Sequence, residues 1–445
     1  MAPNRRVNKC AGWGVKSGKA PVVCLFGLKS YPEKLLTTPS PPPPDDAPRP
    51  LRLLEGGQAF VPALIQAFDN ALRWIQLETY IFDTHGTGAD VADALARAAA
   101  RGVTVQVLVD GIGTAALPPE WKSRFDEAGV QWRVYSPLGS GLGLLVPDRW
   151  RRLHRKLCVV DQHTVFCGGI NVLDDFYDPN HGDLSAPRFD FAVAVTGPMA
   201  AVAADAVALL WWRVQAGYSA RQRHLTTAWE AFRAAGYGGR TQTTPVASTT
   251  PPRAGEKAVL ILRDNLLNRS SIERAYRKAI GRAHHDIVIA NAYFVPGGKL
   301  RRALISASRR GVRVTLLLQG KYEYFMQYHA ARPVYGALLA AGVEIHEYEA
   351  SFLHAKVAVV DGHWATVGSS NLDPLSLLLA REANVVIEDR DFAEDLRQRL
   401  VAAVAHHGRR IDPAAYSRRP LRQRILNWVA YALMRLALLL TGQRY

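Results

Sequence analysis

The 445-residue sequence predicts an α/β fold of two similar domains, each a mixed β-sheet flanked by helices, packed face to face. Three observations predict it. An eight-residue segment beginning at His154 returns at His354, 200 residues later. Strand and helix signals alternate in the same order ahead of both copies, the pattern of a sheet covered by helices. A Thr/Pro-rich stretch lies between the two halves, as a linker would.

The elements follow in chain order. Residues 1–50 read as a lead whose end, Pro39-Ser40-Pro41-Pro42-Pro43-Pro44-Asp45, can build neither sheet nor helix and forms an extended spacer. Within it, Val22 to Leu28 is apolar but far too short to span a bilayer, and no small-residue cleavage site follows cleanly. The first domain is expected over 51–236. Leu51 to Leu54 reads as a strand, Val61 to Trp74 as a helix, Ile75 to Phe82 as a strand, Ala89 to Ala100 as a helix and Val103 to Val109 as a strand. The linker covers 237–257 and the second domain 258–415. There, Val259 to Leu262, Ser271 to Arg282, Asp286 to Phe294, Gly298 to Arg310 and Val312 to Leu318 repeat the order strand, helix, strand, helix, strand. Pro137 to Trp150, where Gly139, Gly141 and Gly143 alternate with Leu142, Leu144 and Leu145, is either a lip that touches acyl chains or a buried connector.

Residues 416–445 form a basic amphipathic tail. Arg409, Arg410, Arg418, Arg419, Arg422 and Arg424 stand against the single acidic Asp412, a cluster suited to anionic lipid surfaces. Ile425 to Leu440 is mostly apolar, with Arg424, Asn427, Tyr431 and Arg435 on one narrow helical stripe. That stretch is short for a span and carries Arg435 in its middle, so a helix lying in the membrane interface is expected, a helix packed on protein being the alternative.

The chemistry resides in the repeat. His154-Arg155-Lys156-Leu157-Cys158-Val159-Val160-Asp161 pairs with His354-Ala355-Lys356-Val357-Ala358-Val359-Val360-Asp361, followed by Gly168-Gly169-Ile170-Asn171 and Gly368-Ser369-Ser370-Asn371. Asp361-Gly362 is a hairpin signal, so each copy reads as strand, tight turn, strand. On a strand, residues two apart share a face, which sets His beside Lys. A neutral imidazole next to an ammonium can attack an electron-poor centre while the Lys holds anionic oxygens. Asn171, Ser369 and Asn371 can donate hydrogen bonds to phosphate oxygens. The candidate catalytic set is therefore His154, Lys156, Asp161, His354, Lys356 and Asp361, of which the two Asp residues are expected to hold backbone at the turns. Two such units suit in-line displacement at a phosphodiester without a metal.

Composition is compatible with that chemistry. A net charge of +16 and a pI near 9.8 favour an anionic partner, nucleic acid or membrane. Cys10, Cys24, Cys158 and Cys167 are too few and scattered for a disulfide framework, and the latter two are expected as buried free thiols. Neither C-x-x-C nor H-E-x-x-H occurs, so no zinc, other metal or cofactor is expected.

With these motifs the chain resembles the phospholipase D superfamily, whose signature is H-x-K-x4-D followed by G-(S/G)-x-N. Within it the chain is most similar to the bacterial cardiolipin synthases, in the form without an N-terminal transmembrane pair. The resemblance extends over about 52–415. Its passages are Glu78-Thr79-Tyr80-Ile81-Phe82, Arg101 to Gly111, Ala290-Asn291-Ala292-Tyr293-Phe294 and His363 to Ser376. It implies two phospholipase D-like domains and transfer of a phosphatidyl group between two phosphatidylglycerol molecules through a phosphohistidine, with release of glycerol. It further implies an acidic residue that fixes the tautomer of each His: Glu382 for His354, and Asp190, after an insertion at Tyr177 to Pro187, for His154. The expected partners are anionic phospholipid and a membrane surface, not nucleic acid, and the expected location is the bacterial inner membrane, peripheral or anchored by the C-terminus. A phospholipase D-type hydrolase and a phosphodiester nuclease remain the rival readings, and the motifs do not say which His is the nucleophile.

Overall fold

A computed structural model describes residues 50–114, 116–137, 151–179, 181–221, 226, 229–230, 257–264, 268, 270–321, 325–373 and 380–440. These all belong to one unit, Pro44–Tyr445. The proline-rich lead, most of the glycine-leucine loop and nearly all of the expected linker lie outside the described residues.

The first half contains β1 (Leu51–Glu55), α1 (Gly56–Asp69), β2 (Trp74–Thr79), α2 (Thr87–Ala100), β3 (Thr104–Asp110), α3 (Pro119–Ala128), β4 (Gln131–Tyr135), β5 (Arg152–Leu153), β6 (Lys156–Val160), β7 (Thr164–Gly168), β8 (Tyr177–Asp178), β9 (Gly182–Asp183), β10 (Phe191–Thr196) and α4 (Met199–Arg221). The second half contains β11 (Ala258–Arg263), α5 (Ser271–Arg282), β12 (Asp286–Asn291), α6 (Gly298–Arg309), β13 (Arg313–Gln319), α7 (Phe325–Leu339), β14 (Glu344–Tyr348), β15 (Lys356–Val360), β16 (Trp364–Gly368), β17 (Ala380–Glu388), α8 (Arg390–His407), β18 (Gly408–Arg410), α9 (Pro413–Ser417) and α10 (Leu421–Leu440).

Both halves build the same mixed sheet. The first runs β1-β10-β7-β6-β2-β3-β4, and the second runs β11-β17-β16-β15-β12-β13-β14 with β18 added at its edge. In each, three strands are parallel (β2, β3, β4 and β12, β13, β14) and the motif hairpin pairs antiparallel beside them. Apolar runs such as Val357 to Val360 are buried on both faces because each sheet is covered twice. α1, α2 and α3 cover the outer face of the first sheet, and α5, α6 and α7 that of the second. The inner faces share one core with α4 and α8, in which Leu157, Val193 and Ala203 meet Val357, Val385 and Leu396. The halves thus face each other as the repeat predicts.

Both ends of one helix differ from the sequence reading for a tertiary reason. α1 starts at Gly56 rather than Val61, because the Gly56 N–H donates to the Asp190 carbonyl at 2.8 Å and the Gly57 N–H donates to the Asp175 carboxylate. It stops at Asp69 rather than continuing to Trp74, because the Asp161 carboxylate accepts the N–H groups of Leu72, Arg73 and Trp74 at 2.8 Å each. This pulls those residues into the entry of β2. The expected strand up to Phe294 likewise stops at Asn291, and Phe294 forms only an isolated bridge to Leu372.

Candidate active site

Each motif is a hairpin, β6–β7 or β15–β16, closed by a turn with positive φ at both central residues: 50° and 57° at Asp161 and Gln162, 50° and 62° at Asp361 and Gly362. Asp and Gly tolerate that conformation well, which favours the turn at Asp161 and at Asp361-Gly362; Gln162 adopts it without that preference. Asp361 repeats the role of Asp161, accepting from His284, His285 and Asp286 N–H at 2.8–2.9 Å. Three backbone donors hold its carboxyl below the usual range although partial burial pushes the other way. Both Asp residues therefore anchor the hairpins at the end away from the His, as expected.

At the other end the chain enters each motif by pairing with the opposite half. β5 runs parallel to β17, and the His154 N–H donates to the Arg381 carbonyl at 3.0 Å. Leu353 bridges Phe189, and the N–H groups of His354 and Ala355 both donate to the Phe189 carbonyl. The next residue after each of those partners is a carboxylate. Nδ1 of His154 therefore lies 3.0 and 3.1 Å from the oxygens of Glu382, and Nδ1 of His354 lies 2.6 Å from Asp190.

This corrects the expected pairing. Asp190 serves the His of the second half and Glu382 that of the first. The family resemblance implied the reverse, but the segment that carries each carboxylate is hydrogen-bonded to the other half's entry segment.

The His side chains sit just before β6 and β15 rather than within them, so the shared-face argument is replaced by a direct contact. Lys156 Nζ donates to the His154 carbonyl at 3.0 Å, and Lys356 Nζ donates to that of His354. The rings of His154 and Tyr80 have centroids 5.0 Å apart, and the Lys156 ammonium lies 5.3 Å from the Tyr80 ring centre. The two motifs form one electrostatic unit. Burial lowers the pKa of both imidazoles; Lys156 and Lys356 lower them further, and the His154 charge bears on His354. Glu382 opposes the shift at His154. Burial also takes Lys156 down to about 7.

The two carboxylates are tuned apart. Burial pushes Asp190 up to about 7, against the pull of Lys356. Glu382 is equally shielded from water, yet His154, Lys156 and the Ser369 hydroxyl together bring it below the usual range. Ser369 Oγ donates to Glu382 at 2.5 Å. Its hydroxyl thus supports a carboxylate of the site. Gly169 at the same position has no room for a side chain, since a Cβ there would lie 2.2 Å from an Asp190 oxygen. Asn171 accepts the Ile81 N–H at 3.1 Å through its amide oxygen, leaving the NH2 as the donor. Asn371 is buried beside β15 and β16.

Sequence reasoning missed a charged layer beneath the first motif. Arg155 and Glu78 form a fully buried ion pair with contacts of 2.7 and 3.0 Å. Arg152 and the Leu153 N–H both bond Asp110, at 3.2 and 2.7 Å. The signal was available: Glu78 is an ionisable residue in the middle of an expected strand, and in a buried strand an unpaired charge is untenable. Cys158 and Cys167 are free and buried as expected, and burial raises both thiols, Cys167 to about 12.

The family described as cardiolipin synthase, PLD-like domain, matches residues 64–182 and 276–402. The cardiolipin synthase B proteins of Salmonella typhimurium and Escherichia coli are both 36% identical, over 380 and 381 residues, or 83% of this chain and 84% of theirs. This chain belongs to the phospholipase D-like cardiolipin synthases, B type. It is an enzyme of the phosphatidyltransferase class. The cardiolipin synthase A of Cronobacter sakazakii is 28% identical over 385 residues, 86% of this chain and 74% of that one. Among solved structures, the phosphatidylserine synthase of Haemophilus influenzae shares the fold, with a TM-score of 0.61 at 14% identity, over 87% of this chain and 93% of that one.

Proposed function

We propose that this family member joins two phosphatidylglycerol molecules into cardiolipin through a phosphohistidine, at the inner face of its two repeats. The observation that carries the reading is the crossed arrangement, in which each His receives its carboxylate from the other half. A carboxylate on Nδ1 places the proton there and leaves Nε2 free as a base or nucleophile.

In the first step one His Nε2 attacks the phosphorus of the donor lipid. The bond from phosphorus to the glycerol oxygen breaks, and the other His, protonated, delivers its proton to that oxygen as glycerol leaves. In the second step that His takes the proton of the acceptor hydroxyl. The new oxygen–phosphorus bond then forms as the nitrogen–phosphorus bond breaks. Lys156, Lys356, Asn171 and Asn371 stabilise the negative charge of the crowded transition states. Burial lowers the pKa of the imidazole that attacks, which favours its neutral, nucleophilic form. The basic C-terminal segment and net charge support peripheral attachment to an anionic membrane.

The test is incubation of the purified protein with phosphatidylglycerol in detergent, with a chelator present, followed by mass spectrometry of the lipids. Cardiolipin and free glycerol are expected, both absent with His354→Ala. Phosphatidic acid as the sole product would replace transfer by hydrolysis. An unchanged lipid with cleavage of single-stranded DNA would move the chain to nuclease chemistry.

A further inference from the structure

α10 leaves most of its large apolar side chains in solvent. A helix on a water-exposed surface turns its apolar stripe inward. Here the inward residues are Asn427, Ala430 and Met434, 3%, 0% and 5% exposed, and Asn427 Oδ1 lies 2.8 Å from Nδ1 of His329 on α7. Six large apolar residues face outward: Leu421, Ile425, Trp428, Val429, Leu433 and Leu436 are 49–68% exposed. Single exposed apolar residues need no explanation, but a whole helical face does.

The charge around that face is of one sign. From Pro413 to Leu440 the chain holds five arginines and no acidic residue, and Arg418, Arg422 and Arg424 are exposed at the helix start. A cleft of about 340 Å³ opens alongside, between α7, α9 and α10, lined by Pro333, Gly336, Tyr416, Arg419, Arg424 and Asn427 and by none of the motif residues. Asn427 Nδ2 is buried there with no hydrogen-bond partner among the described residues. Arg419 spans the wall, its Nε donating to the Tyr416 carbonyl at 2.8 Å and its guanidinium 3.2 Å from the Tyr416 ring centre.

We propose that α10 is a bilayer-docking helix and that the cleft beside it receives the phosphate of an anionic phospholipid, held by Arg419, Arg424 and the Asn427 amide. The apolar face enters the interface while the basic end stays among the headgroups. This deepens the lipid-surface part of the proposed function and does not depend on the transfer chemistry.

The experiment is co-sedimentation of the full chain with vesicles of pure phosphatidylcholine or of phosphatidylcholine with phosphatidylglycerol, with no turnover measured. Binding to the anionic vesicles is expected to exceed binding to neutral ones by tenfold or more. The variant Ile425→Ser/Trp428→Ser/Leu433→Ser should lose binding to both kinds. Arg419→Gln/Arg424→Gln should keep the residual neutral binding and lose about fivefold of anionic preference per arginine. Circular dichroism and an unchanged melting curve establish that each variant is folded, and Trp428→Ser alone serves if the triple variant is not. Equal binding to both vesicles, or a folded triple variant that binds like the parent, overturns the proposal. So does conversion from dimer to monomer by the apolar substitutions, which would assign the face to a second copy. Displacement by millimolar inorganic phosphate beyond that by chloride of equal ionic strength overturns the headgroup assignment in favour of free phosphate.

Discussion

The two motifs share a backbone and differ in what surrounds it. Asp161 and Asp361 each catch three backbone N–H groups, and both hairpins turn through positive φ. Around the first, Arg155 and Glu78 are buried as an ion pair and Tyr80 lies against the His. At the registers of Arg155 and Glu78 the second half has Ala355 and Ala290, both fully buried. The carboxylate serving His154 is supported by the Ser369 hydroxyl, and the one serving His354 faces the bare Gly169. One fold therefore holds two His in different electrostatic settings, which fits two-step chemistry that asks an attacking role of one and a proton-transfer role of the other.

If both His are needed in every turnover, His154→Ala and His354→Ala should each lower kcat by at least about 10,000-fold despite their different settings. Retention of turnover in either one would break the shared-site reading. The crossed pairing is tested next. Asp190→Asn should cost about 100- to 10,000-fold and remove the downfield Nδ1 proton of His354 from the NMR spectrum while leaving that of His154. Glu382→Gln should do the converse, and loss of the same-half signal would restore the uncrossed arrangement.

Stability sharpens the contrast between the charged and apolar layers. Arg155→Ala strands a buried carboxylate and should destabilise by about 3–5 kcal/mol in urea melts. Combining it with Glu78→Ala, which copies the Ala355 and Ala290 of the second half, should recover most of that loss. A double variant no better than the single would mean the pair is structurally indispensable. The hairpin anchors, in contrast, should behave alike, Asp161→Ala and Asp361→Ala each costing about 1.5–3 kcal/mol. Because the Asp361 carboxyl is held low in the folded state, its contribution is present above about pH 4 and is lost as pH falls through its native value.

The smallest effect concerns the pH profile. Ser369→Gly removes a donor that keeps Glu382 low, so the carboxyl pKa rises. The acid limb of kcat/KM should then move to higher pH, with a loss of about tenfold below pH 6. An unmoved limb would separate Ser369 from the tuning of this pair.

Much of this was legible in one dimension. The 200-residue repeat, the alternation of strand and helix and the turn residues are local patterns. They were enough to specify two sheets, two hairpins and the His, Lys and Asp at their places, and Ser271–Arg282 forms its helix at the expected bounds. The helix expected over Val61 to Trp74 lost its last residues because a carboxylate 87–89 positions away competes for their N–H groups. The partner of each His was illegible for the same reason. The resemblance implied a carboxylate from the same half, whereas the β5–β17 and Phe189–Leu353 pairings bring one from the other. The C-terminal helix divides in the same way. Its polar stripe is plain from the sequence, but only contact with α7 decides that Asn427 faces protein while Arg424 stays exposed and large apolar residues point out. Periodicity determines which residues share a face, and packing between distant segments decides what that face meets.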